Sequence, residues 1–229
     1  MIQTVAGVVP FTSIDFPGCL AAVLFFQGCP LRCPFCHNPE LQAFPGPTGQ
    51  KWEEIMAFLK DRVKRLDGVV FSGGEPLMAA GVVDKIKAVK NLGFKIAIHT
   101  SGVYPERLKE VLPLIDWVGL DIKAPWVKYD KLCGRQNMVE KVKESLKILI
   151  DSGVDFEART TCDPRHLVPA DTLTIAKDLH VLGVKIYALQ KYRTFDADQN
   201  PPSVSEIEAF FAAEALSPIQ KLYPNLILR

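Results

Sequence analysis

Six short apolar runs recur along the chain with longer segments of helical period between them, and this alternation limits the fold more than any other feature of the sequence. The runs are Ala21 to Gln27, Gly68 to Phe71, Lys95 to His99, Trp117 to Asp121, Asp155 to Arg159 and Lys185 to Leu189. Each is mostly apolar, as a strand covered on both faces must be. Trp52, Ile55, Leu59, Val63 and Leu66 fall on one side of a helix after the Pro/Gly-rich loop Pro45 to Gly49. Val83, Ile86 and Val89 mark a second helix, and Leu108, Val111 and Leu112 a third. A fourth starts near Asn137 with Val139, Val142, Leu146 and Leu149, and Leu173, Ala176 and Leu179 make a fifth. Strands joined through helices pair in parallel, so the pattern predicts a partial barrel or an open doubly wound sheet.

A chain of 229 residues can bury roughly 70% of its extended surface around one core. Residues 1–229 are therefore expected to form a single domain. Outside the alternation lie a strand near Ile2 to Val8, a helix near Ser205 to Ala215 and a last run Leu226 to Leu228. Hydrophobic residues at 48% and charged residues at 23% exclude disordered, collagen-like and coiled-coil chains. Lys and Arg number 27 against 26 Asp and Glu, with no basic tract, so nucleic acid is not an expected partner. No apolar run approaches the roughly 18 residues of a membrane span, and the opening residues lack the pattern of an export signal. A cytoplasmic location without a membrane partner is expected.

Residues with chemistry to offer sit where the runs end. Gly28 to Asn38 follow the first, Ser72 to Pro76 the second and His99 to Gly102 the third. Asp121, Ile122 and Lys123 close the fourth, Arg159 to Thr161 the fifth, and Gln190 to Arg193 the sixth. In α/β folds that edge carries the ligand site, so these loops are expected to compose one site. Cys29, Cys33 and Cys36 have the spacing C-x3-C-x2-C, which in a chain without an export signal indicates metal or redox chemistry. Three thiolates suit an iron–sulfur cluster with one iron left open to a substrate. Two alternatives stay open: a zinc ion held also by His37, and a dithiol redox module at Cys33-Pro34-Phe35-Cys36. Cys19, Cys133 and Cys162 have no ligand spacing and read as small buried residues.

Gly73, Gly74 and Pro76 suit a tight strand-to-helix turn, or a backbone that approaches a ligand while Glu75 accepts hydrogen bonds from an ammonium. Asp121 and Lys123, two apart on a strand, share a face as a structural ion pair or as a polar pair lining the site. Arg159 is a carboxylate or ribose contact or a surface charge, and His99 and Tyr192 are uninformative alone.

These residues resemble the radical S-adenosylmethionine (SAM) superfamily, whose C-x3-C-x-aromatic-C loop is matched by Cys29, Cys33, Phe35 and Cys36. Gly73-Gly74-Glu75-Pro76 looks like the superfamily's GGE motif, and Asp121-Ile122-Lys123 like the D-[IL]-K motif of glycyl-radical-enzyme activases. Gly7 to Gly18 and Gln27 to Leu41 look most like the activases of anaerobic ribonucleoside-triphosphate reductase. With the strand pattern, the expected fold is α/β: a partial (β/α)6 barrel of parallel strands with N- and C-terminal additions. The resemblance implies that Cys29, Cys33 and Cys36 bind a [4Fe-4S] cluster whose open iron chelates the SAM methionine moiety. Gly73, Gly74 and Glu75 would hold the amino group, Asp121 and Lys123 would line the methionine end, Phe35 and His37 the adenine, and Arg159 and Tyr192 the ribose. Several relatives carry Asp-Thr-Asn-Gly where this chain has His99-Thr100-Ser101-Gly102, which leaves open a carboxylate contact to SAM or to a bound cation there.

The implied activity is reductive cleavage of SAM to a 5'-deoxyadenosyl radical that removes hydrogen from a glycine of a partner. That partner is a glycyl radical enzyme, anaerobic ribonucleoside-triphosphate reductase by the resemblance, with a flavodoxin or ferredoxin as low-potential electron donor. The alternative is a radical SAM enzyme acting on a small molecule. With no second cysteine cluster in the sequence, no auxiliary iron–sulfur centre is expected.

Overall fold

The computed structural model describes residues 5–44, 46, 49–194, 198 and 200–229. The start of the expected N-terminal strand, residues 2–4, and residues 45, 47 and 48 of the expected loop lie outside the described residues. Among the described residues, one sheet of eight strands follows the order of the chain. Its strands are β1 (Val5–Thr12), β2 (Ala21–Phe26), β3 (Gly68–Gly73), β4 (Lys95–Thr100), β5 (Trp117–Asp121), β6 (Asp155–Cys162), β7 (Tyr187–Lys191) and β8 (Ile227–Leu228). β1 runs antiparallel to β2, and every later pair is parallel. The order begins at β1 and ends at β8 without closing, which is the expected partial barrel with an added strand at each edge.

The described helices are α1 (Trp52–Arg62), α2 (Val82–Lys90), α3 (Pro105–Val111), α4 (Trp126–Cys133), α5 (Met138–Ser152), α6 (Pro169–Val181), α7 (Val204–Glu208) and α8 (Ala213–Leu222). α5 is strongly amphipathic: Val142, Leu146 and Leu149 are buried along one stripe, as a helix covering a sheet requires. Its first turn is satisfied from outside, because the Asp130 carboxylate accepts N–H bonds from Asn137, Met138 and Val139 at 2.6, 2.9 and 3.2 Å. An anion there also complements the positive end of the helix.

Among the described residues, three helical segments differ from the sequence expectation. α1 stops at Arg62, because Lys64 takes φ 66° and the chain turns before Val63 and Leu66 pair in a short bridge. The C-terminal helix is two helices, broken where Ala212 is extended (ψ 149°). α4 lies where no helix was expected, with Tyr129 and Cys133 buried at a spacing of four.

The strand period of two sorts residues onto two faces. Ala22, Leu24, Phe26, Val69, Phe71, Ile96, Ile98, Val118 and Leu120 join the main core with the helices. Ala21, Val23, Val70, Ala97 and Trp117 form a second, smaller core with Phe16 and Cys19. Phe16 and Trp117 lie 6.1 Å apart in it. The face of this small core continues toward the strand ends as Ser72, His99, Gly119, Asp121 and Arg159, two-residue steps along the same strands. A short apolar plug therefore gives way to polar residues at the C-terminal edge.

Candidate active site

Two loops meet over that edge. The cysteine loop is tied back by Gln27, whose Nε2 donates to the Glu40 and Ala43 carbonyls at 3.0 and 2.8 Å, and by Gly28 N–H to Leu41 O at 2.7 Å. The turn after β3 packs directly beneath it. Gly74 N–H reaches Phe26 O at 2.8 Å and Glu75 N–H reaches Gly28 O at 2.9 Å. A Cβ on Gly74 would lie 2.2 Å from Gly28 O, and one on Gly73, where φ is +112°, 2.2 Å from Phe26 N. Both glycines are therefore required by backbone contact, whatever else they do.

The loops enclose a cavity of about 370 Å³, within the range of small-molecule sites. Cys29, Cys33 and Cys36 line it together with Phe35, His37, Ser72, Gly73, Gly74, Asp121, Lys123 and Arg159. His99, Thr100, Ser101, Thr161, Gln190 and Arg193 complete its strand-end wall, so residues from all six expected strand ends converge on it. Asp15, after β1, lines it too; sequence analysis assigned it no role because it stands outside the β/α alternation.

Charge in the cavity centres on Asp121. Arg159 donates to its Oδ1 from Nε and Nη2 at 3.0 and 2.8 Å, and Lys123 Nζ approaches Oδ2 at 3.4 Å. Burial opposes ionisation of Asp121, but Arg159 and Lys123 prevail and hold its carboxyl at about 2. Burial likewise works against the Lys123 ammonium, and Asp121 and the Cys33 sulfur outweigh it, so the amine stays protonated. Gly119 makes this possible: a Cβ there would sit 2.7 Å from the Arg159 guanidinium. Lys123 Nζ also lies 5.9 Å from the centre of the Phe35 ring. His99 accepts no such charge. Burial first, and Arg159 second, push its imidazolium down to about 3, and its Nε2 stands 2.8 Å from Asp15 O.

Two expected site residues lie outside the cavity lining. Glu75 is fully buried, and its oxygens face protein donors: Oε1 accepts from Leu77 N–H (3.1 Å) and Thr100 Oγ1 (2.8 Å), and Oε2 from Ser101 N–H (2.8 Å) and Ser101 Oγ (2.6 Å). With four internal donors, Glu75 joins the β3 turn to the end of β4. Tyr192 is buried with its hydroxyl donating to Asp198; its ring packs 5.2 Å from His37 and lies under Arg165 at 4.6 Å. It backs His37.

The thiols differ among themselves. Burial pushes Cys29 up to about 12, while a hydrogen bond from Cys133 and the nearby Lys123 bring Cys33 down to about 7. The donor set is all sulfur, and each thiol opens on one shared cavity, which fits a thiolate-held iron–sulfur cluster. His37, the fourth ligand of the zinc alternative, instead accepts the Arg193 N–H at 3.3 Å. Among the described residues no three His, Cys, Asp or Glu side chains gather on a single ion.

An open parallel barrel with a three-thiol loop at its strand ends defines an α/β cofactor enzyme. The sequence profile described as the radical SAM superfamily matches residues 23–186, and the chain belongs to that superfamily. Its cofactors are a [4Fe-4S] cluster and SAM. A candidate glycyl-radical enzyme activating enzyme of Methanocaldococcus jannaschii is 34% identical over 86% of this chain and 83% of its own length. The pyruvate formate-lyase-activating enzyme of Clostridium pasteurianum is 39% identical over 48% of each chain, so the match spans about half of that relative. A radical SAM methyltransferase from Sphaerobacter thermophilus superposes with a TM-score of 0.71 at 15% identity, over 99% of this chain and 77% of the other, which shows the shared fold.

Proposed function

We propose that this chain is an activase that places a radical on a backbone glycine of a separate glycyl radical enzyme, and that residues 1–229 act in it as one radical SAM domain. The observation that carries the reading is the single cavity shared by Cys29, Cys33, Cys36, Asp121 and Lys123 at the end of an unclosed sheet. When bound, the cluster and SAM supply one-electron cleavage of a carbon–sulfur bond and, from it, hydrogen-atom abstraction. Cys29, Cys33 and Cys36 hold the cluster. The backbone of Gly73 and Gly74, with the Asp121 carboxylate, receives the SAM amino group, and Lys123 its carboxylate. Arg159 fixes Asp121 from behind. Phe35 and His37 flank the adenine, with Tyr192 supporting His37, and Glu75 holds the Thr100–Ser101 wall in register. No side chain need act as a general acid or base. The gap between the edge strands gives a partner's glycine loop a way in, which an enclosed small-molecule site would not require.

For the partner, the similarity of Gly7 to Gly18 and Gln27 to Leu41 supports anaerobic ribonucleoside-triphosphate reductase, served by a flavodoxin or ferredoxin. The Clostridium relative's name favours a second reading, pyruvate formate-lyase. The test incubates reduced protein and SAM anaerobically with each enzyme. A doublet electron paramagnetic resonance signal in the unlabelled partner, together with deuterium found in deoxyadenosine when the partner's glycine is deuterated, supports the activase and names its partner. Label transfer from a small metabolite, with neither enzyme radicalised, overturns it.

A further inference from the structure

We infer that Arg165 is a positioning residue for His37, acting through Tyr192, and that it thereby sets how firmly the adenine end of SAM is held. The inference deepens the proposed function and rests on its placing of His37 beside the adenine. His37 is exposed, so core packing does not fix its ring. Tyr192, buried just after β7, packs against it at 5.2 Å, and the next residue, Arg193, gives its N–H to His37 Nε2 at 3.3 Å. Arg165, in the loop after β6, lies over the Tyr192 ring at 4.6 Å from its centre. Its guanidinium is itself fixed by two loops. Nε and Nη2 donate to Asp163 at 2.9 and 2.7 Å, and Nη1 donates to Asp198 Oδ1 at 2.8 Å and to Asn200 O at 3.1 Å. The Asp163 side chain has no exposed surface and that of Asp198 only 6%. The Tyr192 hydroxyl donates to the other Asp198 oxygen, Oδ2. Arg165, Asp198 and Tyr192 thus close a ring of contacts that fastens the segment after β7 to the loop after β6.

A planar guanidinium can bond two carboxylates and cover an aromatic ring in one conformation. Without it, the carboxylates of Asp163 and Asp198 lose the cation they share, and a buried charge stripped of its partner is strongly unfavourable. Asp198 would then leave its place, and the Tyr192 ring would lose both the cover of Arg165 and the anchor of its hydroxyl. None of Asp163, Arg165, Tyr192 and Asp198 lines the cavity. The network therefore reaches the site through His37, at a distance from the thiols and Lys123.

The experiment is equilibrium dialysis of the full chain, loaded anaerobically with its cluster, against radiolabelled SAM, with iron and sulfide counted in every sample. Wild type is compared with Arg165→Gln, Arg165→Lys, His37→Ala and the double variant Arg165→Gln/His37→Ala. Lys128→Gln, which breaks the Lys128–Asp171 pair between α4 and α6, is the control. At equal iron content, Arg165→Gln should weaken SAM binding roughly two- to ten-fold, the worth of one aromatic packing contact. Arg165→Lys should recover part of the loss, because its ammonium can still pair with a carboxylate, and Lys128→Gln should match wild type. In the His37→Ala background Arg165→Gln should add little, since residues that act through one another are not additive. Wild-type affinity in Arg165→Gln overturns the inference. So does an undiminished further loss in the double variant, an equal loss in Lys128→Gln, or loss of iron in both Arg165 variants. Failure of wild type to bind SAM, or full affinity in His37→Ala, would instead refute the reading on which the inference stands.

Discussion

Replacing Glu75 separates two jobs that one carboxylate cannot do at once. Its four hydrogen bonds come from within the chain, two of them from the backbone N–H groups of Leu77 and Ser101. In Glu75→Ala the hydroxyls of Thr100 and Ser101 can rotate toward other acceptors, but the two backbone donors cannot. Each buried donor left without a partner costs about 1–3 kcal/mol, so the variant should lose about 2–6 kcal/mol of stability. Glu75→Gln keeps one oxygen, and its amide must face either Leu77 N–H or Ser101 N–H; one stranded donor predicts a loss of about 1–3 kcal/mol. Urea unfolding of the cluster-free protein under nitrogen reads the stability, and equilibrium dialysis of the loaded protein reads SAM affinity. The expected order of stability is wild type, Gln, Ala. A direct ammonium contact predicts the opposite pattern: stability within about 0.5 kcal/mol of wild type, with SAM affinity down roughly ten- to a hundred-fold. That result would refute the assignment of Glu75 to the wall.

Wild type loaded without oxygen should hold about four irons, and alanine at Cys29, Cys33 or Cys36 should each abolish the cluster while Cys19→Ala and Cys162→Ala retain it, as iron and sulfide analysis will show. Lys123→Gln should weaken SAM binding by roughly ten- to a hundred-fold, the worth of one charge-assisted contact, with iron content unchanged. Gly74→Ala should fail to assemble a stable cluster, because its Cβ would meet Gly28 O at 2.2 Å, whereas Gly7→Ala, with nothing within 4 Å, should behave as wild type. His99 is held neutral down to about 3 in the folded chain, while the unfolded chain takes up the proton near the ordinary value of about 6.5. Stability from this residue is thus complete above about 6.5 and falls by about 1.4 kcal/mol per pH unit below it. His99→Asn should flatten the stability profile between pH 6 and 4, and an unchanged slope would reject the neutral ring.

The strands were legible because each is a run too short for a helix and too apolar for a surface. Trp117–Asp121 is found as expected, and β2, β3 and β4 differ only at their C-terminal ends. Parallel neighbours in chain order then leave few topologies, and the C-terminal edge follows as the place where Cys33, Gly73, Asp121 and Arg159 meet. What the sequence withheld depends on which atoms a side chain faces. Glu75 next to two glycines looks like a ligand contact until Thr100 and Ser101, 25 and 26 residues away, are found to claim both its oxygens. Cys133 is a lone cysteine until Arg32 N–H fastens its helix end to the loop. α4 was missed for a related reason: Pro125 starts it and Gly134 ends it after only eight residues, too short a span for a helical period to stand out.

Charge at the cavity wall gives a way to rank its two cations. Arg159 is committed, with two of its nitrogens on the same Asp121 oxygen and its guanidinium filling the space that Gly119 leaves free. Lys123 makes one longer contact, 3.4 Å to the other oxygen, and its ammonium has three hydrogens to give. One carboxylate between two cations leaves one positive charge over at this spot. Because Arg159 cannot leave Asp121 without stranding a buried ion pair, the surplus charge belongs to Lys123. An amino-acid carboxylate entering the cavity would therefore complete the pairing of Lys123 and leave the Asp121–Arg159 pair intact. That division of labour is why Lys123, and not Arg159, carries the binding prediction.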